Sequence, residues 1–496
     1  MIPTTPIERV PASPSGVVAD WLVAGVWEGE KPPTDLDAAT GGLLSWLNTA
    51  GDLTGKPLEL VPLLKPAGLT AQRLMLVGLG KRAEATRLRF HEAGAAAARA
   101  VTGKPVATLA AAAPGAGGGL NAADALHAFA VGMTQGFVGP GLRKATPARY
   151  APGRFVLALP ADCGFNPAPV VFAVHAAARG MWLARALVNT PPADLDPERF
   201  ADVAVEHAAI VGVEAEVWDE HRLEEERMGA LLAVARGSDR PPRLVILRYV
   251  GTPGVPALAL VGKGVTFDSG GLSLKTTEQM VDMKCDMAGA AAVLGGIRAA
   301  AELKLPVNLL GVLALVENMP SGRAMKLGDV LTTRLGKTIE VLNTDAEGRL
   351  ILADALAYAA EQKPAAMVDF ATLTGACMIA LGPHVSGLMT NNDPWGDRVL
   401  AAAGRAGERA WKLPMDAHYD EMIRSKVADM RNTGGSRYGG AITAAKLLQQ
   451  FVGDVPWAHL DIAGPAWAEG ESAASDAGGT GCMVRTIVEL ARGGVT

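Results

Sequence analysis

Residues 257–275 read ALALVGKGVTFDSGGLSLK and indicate the local architecture more clearly than any other part of the chain. The apolar run 257–261 is typical of a buried strand, and it leads into a glycine-framed loop that holds Lys263, Asp268 and Lys275. In open α/β sheets, ligands bind at the loops that leave the carboxyl ends of strands. The stretch therefore predicts an α/β sheet with a ligand site at the end of this strand.

Two further segments carry acidic side chains at the same kind of junction. Residues 283–290 read MKCDMAGA, in which Asp286 opens a small-residue helical stretch, and residues 343–350 read NTDAEGRL where a strand-like run meets a helical one. Carboxylates on glycine-rich loops are good ligands for hard divalent cations. We therefore expect a metal site that draws on four carboxylates: Asp268, Asp286, Asp345 and Glu347.

The segment at 343–350 also has a purely structural interpretation. Thr344 followed by Glu347 fits a capping box, and Asp345 and Arg349 have the i,i+4 spacing of a helical ion pair. Considered by itself, this segment is explained by local helix stability.

The other charged residues have local interpretations as well. Asp286 suits an N-cap, Asp268 suits an Asx turn, and Lys263 and Lys275 suit solvated loop lysines. These interpretations are independent of one another. None explains why Lys263 stands between two glycines, which allow a ligand to approach closely. The joint pattern favours the metal site.

The three segments resemble the signature of the leucyl aminopeptidases, the two-metal, hexameric exopeptidases of the cytosol. The similarity extends through ENMPSG at 317–322, DFATLTGA at 369–376 and HLDIAG at 459–464. It is strong in the C-terminal part of the chain and faint over about the first 160 residues.

The resemblance implies two divalent ions per subunit, Mn²⁺ or Zn²⁺, with Asp268 and Glu347 bridging them. Lys263 would be a neutral ligand, because an ammonium has no lone pair and nearby dications lower the pKa of an amine. The implied metal ligands are Lys263, Asp268, Asp286, Asp345 and Glu347.

The same resemblance implies two catalytic side chains. Lys275 would stabilise the oxyanion that forms when a metal-bridging water attacks the peptide bond. Arg349 would hold a bicarbonate or carbonate ion as the general base, because guanidinium does not release its proton in proteins. The residues implied to bind the N-terminal residue of the substrate are Met283, Thr372, Leu373, Gly375, Ala463 and Ala466.

The expected function is a metal-dependent leucyl aminopeptidase that releases N-terminal, preferentially apolar, residues from short peptides. The resemblance also implies a homohexamer, a dimer of trimers. Another two-metal hydrolase, such as a phosphoesterase, stays open, because the same ions can serve phosphoryl oxygens. An additional DNA-binding role also stays open, although the formal charge of −5 gives no electrostatic footprint for nucleic acid.

Composition agrees with a cytoplasmic enzyme. The 496 residues exceed the size of one core and favour two or three domains. The four cysteines are scattered without a Cys-x-x-Cys pair, which argues against a disulfide framework and a thiolate zinc site. We expect no signal peptide, since no basic region precedes an apolar one, and no membrane span.

The predicted fold class is α/β with two domains. We expect an N-terminal α/β domain over 1–165 with an oligomerisation or regulatory role, a linker helix over 166–190, and a catalytic α/β/α domain with a central mixed sheet over 191–496. His459, within a strand-like run, is interpreted as a core histidine whose hydrogen bonds are satisfied. Predicted strands are 74–77, 106–109, 155–159, 244–249, 257–261, 308–315, 367–370 and 457–462, and predicted helices include 83–101 and 170–188.

Residues 78–83, GLGKRA, match a relaxed dinucleotide-binding fingerprint after a predicted strand. No acidic residue follows about 20 positions later, where such a site would contact the ribose. We therefore predict no dinucleotide site there.

Overall fold

The computed structural model describes residues 5–141, 143–436 and 438–494. The chain divides into two compact units, Met1–Trp182 with Glu469–Ala477, and Leu183–Ala468 with Gly478–Thr496. The predicted α/β class with two domains is confirmed. The domain boundaries given above, at 165/166 and 190/191, stay predictions.

The first unit is built on a six-stranded sheet with strand order β1-β6-β5-β2-β4-β3. Five strands are parallel, and β3 pairs antiparallel with β4 at the edge. The strands are β1 Ile7–Val10, β2 Trp21–Trp27, β3 Leu60–Leu64, β4 Arg73–Gly80, β5 Thr108–Ala112 and β6 Arg154–Ala158. The helices are α1 Thr34–Ala39, α2 Leu43–Ala50, α3 Arg87–Val101 and α4 Ala122–Gly136.

Helix α3 begins later than the predicted residue 83. The Thr86 hydroxyl accepts a hydrogen bond from the Arg89 N–H at 3.2 Å and therefore caps the helix there. Residues Arg82–Glu84 form a separate 3₁₀ turn. The apolar periodicity predicts the helix, whereas the cap decides where it starts.

Helix α5, Pro167–Asn189, contains the boundary between the two units. Within the described ranges it is the one helix whose length and apolar composition would suit a membrane span. Of its apolar 18-residue window, 67% is buried inside the protein, which is typical of a core helix.

The second unit is built on an eight-stranded mixed sheet with strand order β15-β14-β17-β13-β9-β10-β8-β7. The four central strands β17, β13, β9 and β10 are parallel. The strands are β7 Glu214–Trp218, β8 Arg243–Val250, β9 Leu258–Asp268, β10 Asn308–Asn318, β13 Ala366–Ala371, β14 Ser386–Thr390, β15 Ala410–Lys412 and β17 Trp457–Asp461. Carboxyl ends of parallel strands meet at one edge, so this edge collects the loops after β9, β10, β13 and β17.

Helices and short strands complete the second unit. Its helices are α6 Pro197–Ile210, α7 Glu220–Glu225, α8 Gly229–Ala235, α9 Thr277–Met280, α10 Ala288–Glu302, α11 Gly348–Glu361, α12 Gly375–Leu381, α13 Asp393–Ala406, α14 Gly440–Gln449 and α15 Val484–Gly493. Strands β11 Val330–Thr332, β12 Thr338–Glu340 and β16 Met430–Arg431 form a small sheet, and β18 Trp467–Ala468 pairs with β19 Gly478–Gly479.

Lys263 lies inside a strand, so its predicted place in a loop is wrong. Strand β9 continues through both glycines to Asp268. A Cβ on Gly262 would lie 2.5 Å from Ala290 Cα, because helix α10 packs closely there. Successive side chains of a strand point to opposite faces, so Lys263 faces away from α10. Gly262 serves packing against α10, a Cβ on Gly264 would lie closest to Leu315 and Ala314 of β10, and the strand presents the lysine.

Candidate metal centre

The carboxyl edge of the second sheet gathers the acidic residues that the sequence predicts. Asp268 ends β9, and Thr372 follows β13. Asp286 lies just before α10, and Glu347 is the residue before α11. Residues up to 104 positions apart in the chain, such as Asp268 and Thr372, therefore meet at one edge.

Three carboxylates form a compact buried group. Oxygens of Asp268, Asp286 and Glu347 lie within 4.8 Å of one another. All three residues are buried, at 2%, 4% and 2% exposure respectively. Within the described residues, this is the one group of three acidic, histidine or cysteine side chains close enough to hold a metal ion.

Two lysines pair with this group. Lys263 Nζ lies 2.9 Å from Asp286 Oδ1 and 2.9 Å from Glu347 Oε1, and it is buried. Lys275 Nζ lies 2.8 Å from Asp268 Oδ2 and 2.5 Å from Asp345 Oδ1. The interpretation of the two residues as solvated loop lysines is therefore wrong, and Lys275 brings the half-buried Asp345 into the cluster.

A backbone carbonyl and a glycine surround the ammonium group of Lys263. Its Nζ donates to the carbonyl of Thr372 at 2.9 Å. A Cβ on Gly348 would lie 2.7 Å from Nζ, so a larger residue at the first position of α11 would force the lysine side chain to move.

The electrostatics of the cluster reflect four carboxylates around two ammonium groups. Burial and the neighbouring Glu347 raise the pKa of Asp268 to about 6, although both lysines lower it. Burial also raises the pKa of Asp286, against the effect of Lys263. Burial opposes the charge of Lys263, yet Asp286, Glu347 and Asp268 raise its pKa above the usual range. The cluster has excess negative charge in a water-poor place.

This donor set fits divalent cations. Asp286 Oδ2 and Glu347 Oε2 are buried and have no hydrogen-bond partner in the described structure. Buried carboxylate oxygens without donors are costly, and a cation would satisfy them. The ammonium of Lys263 pairs with the carboxylates here, and a nearby dication would favour its neutral form as a ligand.

The capping interpretations of Thr344 and Asp286 are wrong. The Thr344 hydroxyl donates to the Gly270 carbonyl at 2.6 Å, and α11 begins without a side-chain cap. Helix α10 likewise begins without one, and Asp286 Oδ1 instead accepts the hydroxyl of Thr372 at 2.8 Å.

Asp268 does form the alternative Asx-type contact, because its Oδ1 accepts the N–H of Gly270 at 2.9 Å. That oxygen also accepts Nδ2 of Asn318 at 2.8 Å, while Oδ2 faces Lys275. The carboxylate of Asp268 therefore takes part in both the turn and the ion cluster.

Two buried asparagines, Asn318 and Asn432, contact the site although neither was predicted from the sequence. Asn318 ends β10, and its Nδ2 also donates to the carbonyl of Thr344 at 3.1 Å. Its place in the ENMPSG motif, at the carboxyl end of a predicted strand, was an available signal. Asn432 contacts the segment 342–346 from a distant part of the chain, and no local pattern marked it.

Arg349 lies in the first turn of α11 and is buried. Its Nη1 donates to the carbonyl of Asn432 at 2.7 Å, and its Nε has no hydrogen-bond partner in the described part of the chain. Burial lowers the pKa of Arg349 to about 10, against the effects of Glu347 and Asp461. A buried guanidinium with a free donor is suited to a planar anion.

Two of the predicted substrate-binding residues, Leu373 and Ala463, follow strands β13 and β17 at the same sheet edge. The N–H groups of Leu373 and Ala463 both donate to Asp461 Oδ1, at 3.3 and 3.1 Å. Met283 lies in the 3₁₀ helix Met283–Cys285, Gly375 begins α12, and Ala466 is buried after β17. No hydrogen bond or ion pair of the described residues joins these last three to the carboxylates.

His459 is a core histidine, as interpreted from the sequence. Its Nδ1 lies 2.6 Å from Asp369 Oδ1, and Trp457 Nε1 donates to the other oxygen of Asp369 at 2.7 Å. All three side chains are fully buried. Nε2 of His459 has no hydrogen-bond partner among the described residues, so only one of its nitrogens is satisfied.

The fold and the site together define a two-domain α/β protein with a buried, carboxylate-rich cluster. Sequence families identify its relatives. The catalytic-domain model of the cytosol aminopeptidase family matches residues 182–488, and the N-terminal-domain model of that family matches residues 23–137. The chain belongs to the cytosol aminopeptidase family, which confirms the predicted resemblance, and it is a metal-dependent aminopeptidase.

Individual relatives agree over most of their length. The chain is 48% identical to the probable cytosol aminopeptidase of Rhodopirellula baltica, across 89% of this chain and 85% of that protein. It is 43% identical to the probable cytosol aminopeptidase of Syntrophotalea carbinolica, across 95% of this chain and 96% of that protein.

Solved structures show the same fold. The bottromycin maturation enzyme BotP is 38% identical with a TM-score of 0.85, across 96% of this chain and 99% of that one. A further BotP structure is a complex with Mn. A mutant of tomato leucine aminopeptidase is 36% identical with a TM-score of 0.86, across 99% of this chain and 97% of that one.

Proposed function

We propose that this protein is a leucyl-type aminopeptidase that releases N-terminal, preferentially apolar, residues from short peptides. The observation that carries the proposal is the buried group of Asp268, Asp286 and Glu347, which has unpartnered oxygens and two lysines against it. Such a site binds dications and keeps a protonated amine next to them.

Lys263, Asp268, Asp286, Asp345 and Glu347 would hold two divalent ions. When bound, the ions supply Lewis-acid polarisation of a carbonyl and a water nucleophile near neutral pH. Oxygen-rich ligands with one amine nitrogen suit Mn²⁺ or Zn²⁺. The complex of BotP with Mn supports manganese as one of these ions.

Lys275 would hold its proton and donate it as a hydrogen bond to the oxyanion that develops on the substrate. Burial opposes its charge, but Asp268 and Asp345 raise the pKa of Lys275 above the usual range, so it stays protonated at neutral pH. A fixed cationic donor in a largely buried place stabilises a transition-state anion more strongly than water does.

Arg349 would bind a bicarbonate or carbonate ion, which would supply the general base. The unpartnered Nε of this buried guanidinium supports an anion there, while Nη1 is tied to Asn432. The guanidinium itself keeps its proton and orients the anion through its planar N–H groups.

Selection of the free N-terminus would rest on Asp286, whose carboxylate would accept a hydrogen bond from the amino group of the substrate. Thr372 uses its hydroxyl on Asp286 and its carbonyl on Lys263, which leaves its methyl group for a substrate side chain. The pocket would comprise Met283, Thr372, Leu373, Gly375, Ala463 and Ala466. These residues are apolar or small, which supports a preference for apolar N-terminal residues.

Membership of the family supports a proposal for the assembly and the location. We propose a homohexamer made of two trimers, with the N-terminal unit serving assembly or regulation. The cytosolic names of the relatives support a cytoplasmic location. Sedimentation velocity tests the assembly, and a fully active monomer would contradict it.

The decisive experiment compares two substrates after metal removal. Chelator-treated protein should not hydrolyse leucine p-nitroanilide, and added Mn²⁺ or Zn²⁺ should restore hydrolysis. An aryl phosphate, assayed in parallel, should not be cleaved. Metal-restored cleavage of the phosphate alone would instead support a two-metal phosphoesterase.

A further inference from the structure

We propose that Asn432 is a positioning residue for this reaction, and this inference rests on the function proposed above. Asn432 would hold the segment that carries Asp345 and Glu347, and it would hold the guanidinium of Arg349. It lies 85 positions beyond Glu347 in the chain.

The side-chain amide of Asn432 is fully used on a single segment. Oδ1 accepts the N–H groups of Leu342 at 2.8 Å and of Asn343 at 3.3 Å. Nδ2 donates to the carbonyls of Asn343 at 2.6 Å and of Ala346 at 3.4 Å. The amide therefore spans the segment from Leu342, two residues after β12, to Ala346, the residue before Glu347.

The backbone of Asn432 adds two further links. Its N–H donates to the carbonyl of Glu340 at 2.9 Å, which extends the parallel pairing of β12 and β16 by one residue. Its carbonyl accepts Nη1 of Arg349 at 2.7 Å. One buried residue therefore ties together a strand end, the ligand segment and the first turn of α11.

This arrangement opposes a specific electrostatic problem. Asp345 and Glu347 are held close to Asp268 and Asp286, and like charges in a buried place repel. The segment between β12 and α11 has no regular secondary structure, so its N–H and carbonyl groups need other partners. Asn432 supplies them and thereby keeps the carboxylates together before a cation arrives.

Asn308 provides a matched control because it does the same local task elsewhere. It is buried, its Oδ1 accepts the N–H of Thr252 at 3.0 Å, and its Nδ2 donates to the carbonyls of Thr252 at 2.7 Å and Val255 at 2.8 Å. It begins strand β10, whose other end, Asn318, lies at the site. At about 3.3 Å per residue, the two ends are about 30 Å apart.

The test measures Mn²⁺ binding to metal-free protein by titration calorimetry, with urea unfolding in parallel. Asn432→Ala should bind Mn²⁺ about 10–100-fold more weakly than wild type, the loss typical of residues that support metal ligands. Asn308→Ala should bind like wild type despite a similar loss of stability. Asn432→Ser, whose hydroxyl replaces part of the amide, serves if the alanine variant does not fold.

Wild-type Mn²⁺ affinity in the Asn432 variants would overturn the inference, and so would an equal loss in Asn308→Ala. These results differ from failure of the proposed function. In that case the wild-type protein itself would not hydrolyse leucine p-nitroanilide, whether or not it bound Mn²⁺.

Discussion

The two sheets of this protein have different chemistry at the edge where their parallel strands end. After β4 in the first unit, Arg82 Nη2 lies 2.7 Å from Glu30 Oε2, and Arg82 Cζ lies 4.6 Å from the centroid of the Trp27 ring. Both charged side chains are well exposed, at 43% and 38%. After β9 in the second unit, Asp268 and its acidic neighbours are buried, and some of their oxygens have no partner among the described residues.

This comparison indicates that the edge where parallel strands end can hold a functional site but does not by itself create one. The glycine-rich loop of the first unit has a packing reason, since a Cβ on Gly118 would lie 1.7 Å from the Ala85 carbonyl oxygen. An exposed ion pair contributes only about 0.2–1 kcal/mol, and water can replace either partner. The second edge differs because its carboxylates are buried and some of their oxygens have no hydrogen-bond partner among the described residues. Such groups are typical of functional sites.

The largest effect should come from Glu347→Gln, which removes a charge shared by the proposed metal pair. We expect loss of bound metal and a fall in kcat/KM of more than about 100-fold, because even supporting residues cost about 10–100-fold. Elemental analysis and leucine p-nitroanilide kinetics measure both. Glu30→Gln, the same change at the other edge, should leave both unchanged. Full metal content in Glu347→Gln would contradict the proposed difference between the two sheet edges.

Lys263→Arg tests whether the buried lysine is a ligand. A guanidinium stays protonated and cannot donate a lone pair, so metal content should fall at that site although the positive charge is kept. Lys81→Arg, at the exposed edge of the first unit, should have no such effect. Wild-type metal content in Lys263→Arg, measured by elemental analysis, would count against the ligand assignment.

Lys275→Met tests the oxyanion role separately from metal binding. Because the proposed contact forms only in the transition state, kcat should fall by about 100-fold while KM changes little. Steady-state kinetics at saturating Mn²⁺ would measure this. A raised KM with unchanged kcat would instead indicate a role in substrate binding.

A smaller effect is expected in the core beneath the second edge. Burial lowers the pKa of His459, but Asp369 and Asp461 raise it more, against Arg349, so the pKa lies above its ordinary value of 6.5. A raised folded pKa stabilises the protein below the unfolded pKa, and this contribution is lost as pH rises through the folded pKa. A folded pKa that is higher by one contributes about 1.4 kcal/mol to the free energy of unfolding.

The stability difference between wild type and His459→Gln, measured by urea unfolding, should therefore be larger at pH 6 than at pH 9. The same substitution at the exposed His384 is the control. A difference that grows with rising pH would show that the imidazolium is not stabilised by its carboxylate partners.

Particular residues show where prediction from the sequence succeeded. The apolar runs predicted β9, β10, β13 and β17, because buried parallel strands are continuous stretches of apolar residues. They also predicted β8, an antiparallel strand whose residues Leu244–Leu247 are buried. Asp268, Asp286 and Glu347 meet in the fold because the parallel central strands of the second sheet end at one edge, and Lys263 reaches them from within β9.

Other residues show where it failed. Lys263 was expected in a loop, since glycines interrupt strand patterns, and the close approach of α10 that makes them favourable is not visible locally. Asn432 was missed because its partners lie about 90 positions away. The start of α3 depended on the Thr86 cap and not on apolar periodicity.

The sequence by itself determined the α/β class, five of the eight strands of the second sheet and the acidic residues near their ends, because these depend on local composition and spacing. Only the tertiary structure decided that Lys263 pairs with Asp286 and Glu347, that two asparagines hold the ligand segments, and that the first sheet edge carries an exposed ion pair. Burial and the direction of a side chain depend on which distant elements pack around it, and a local pattern contains no information about that packing.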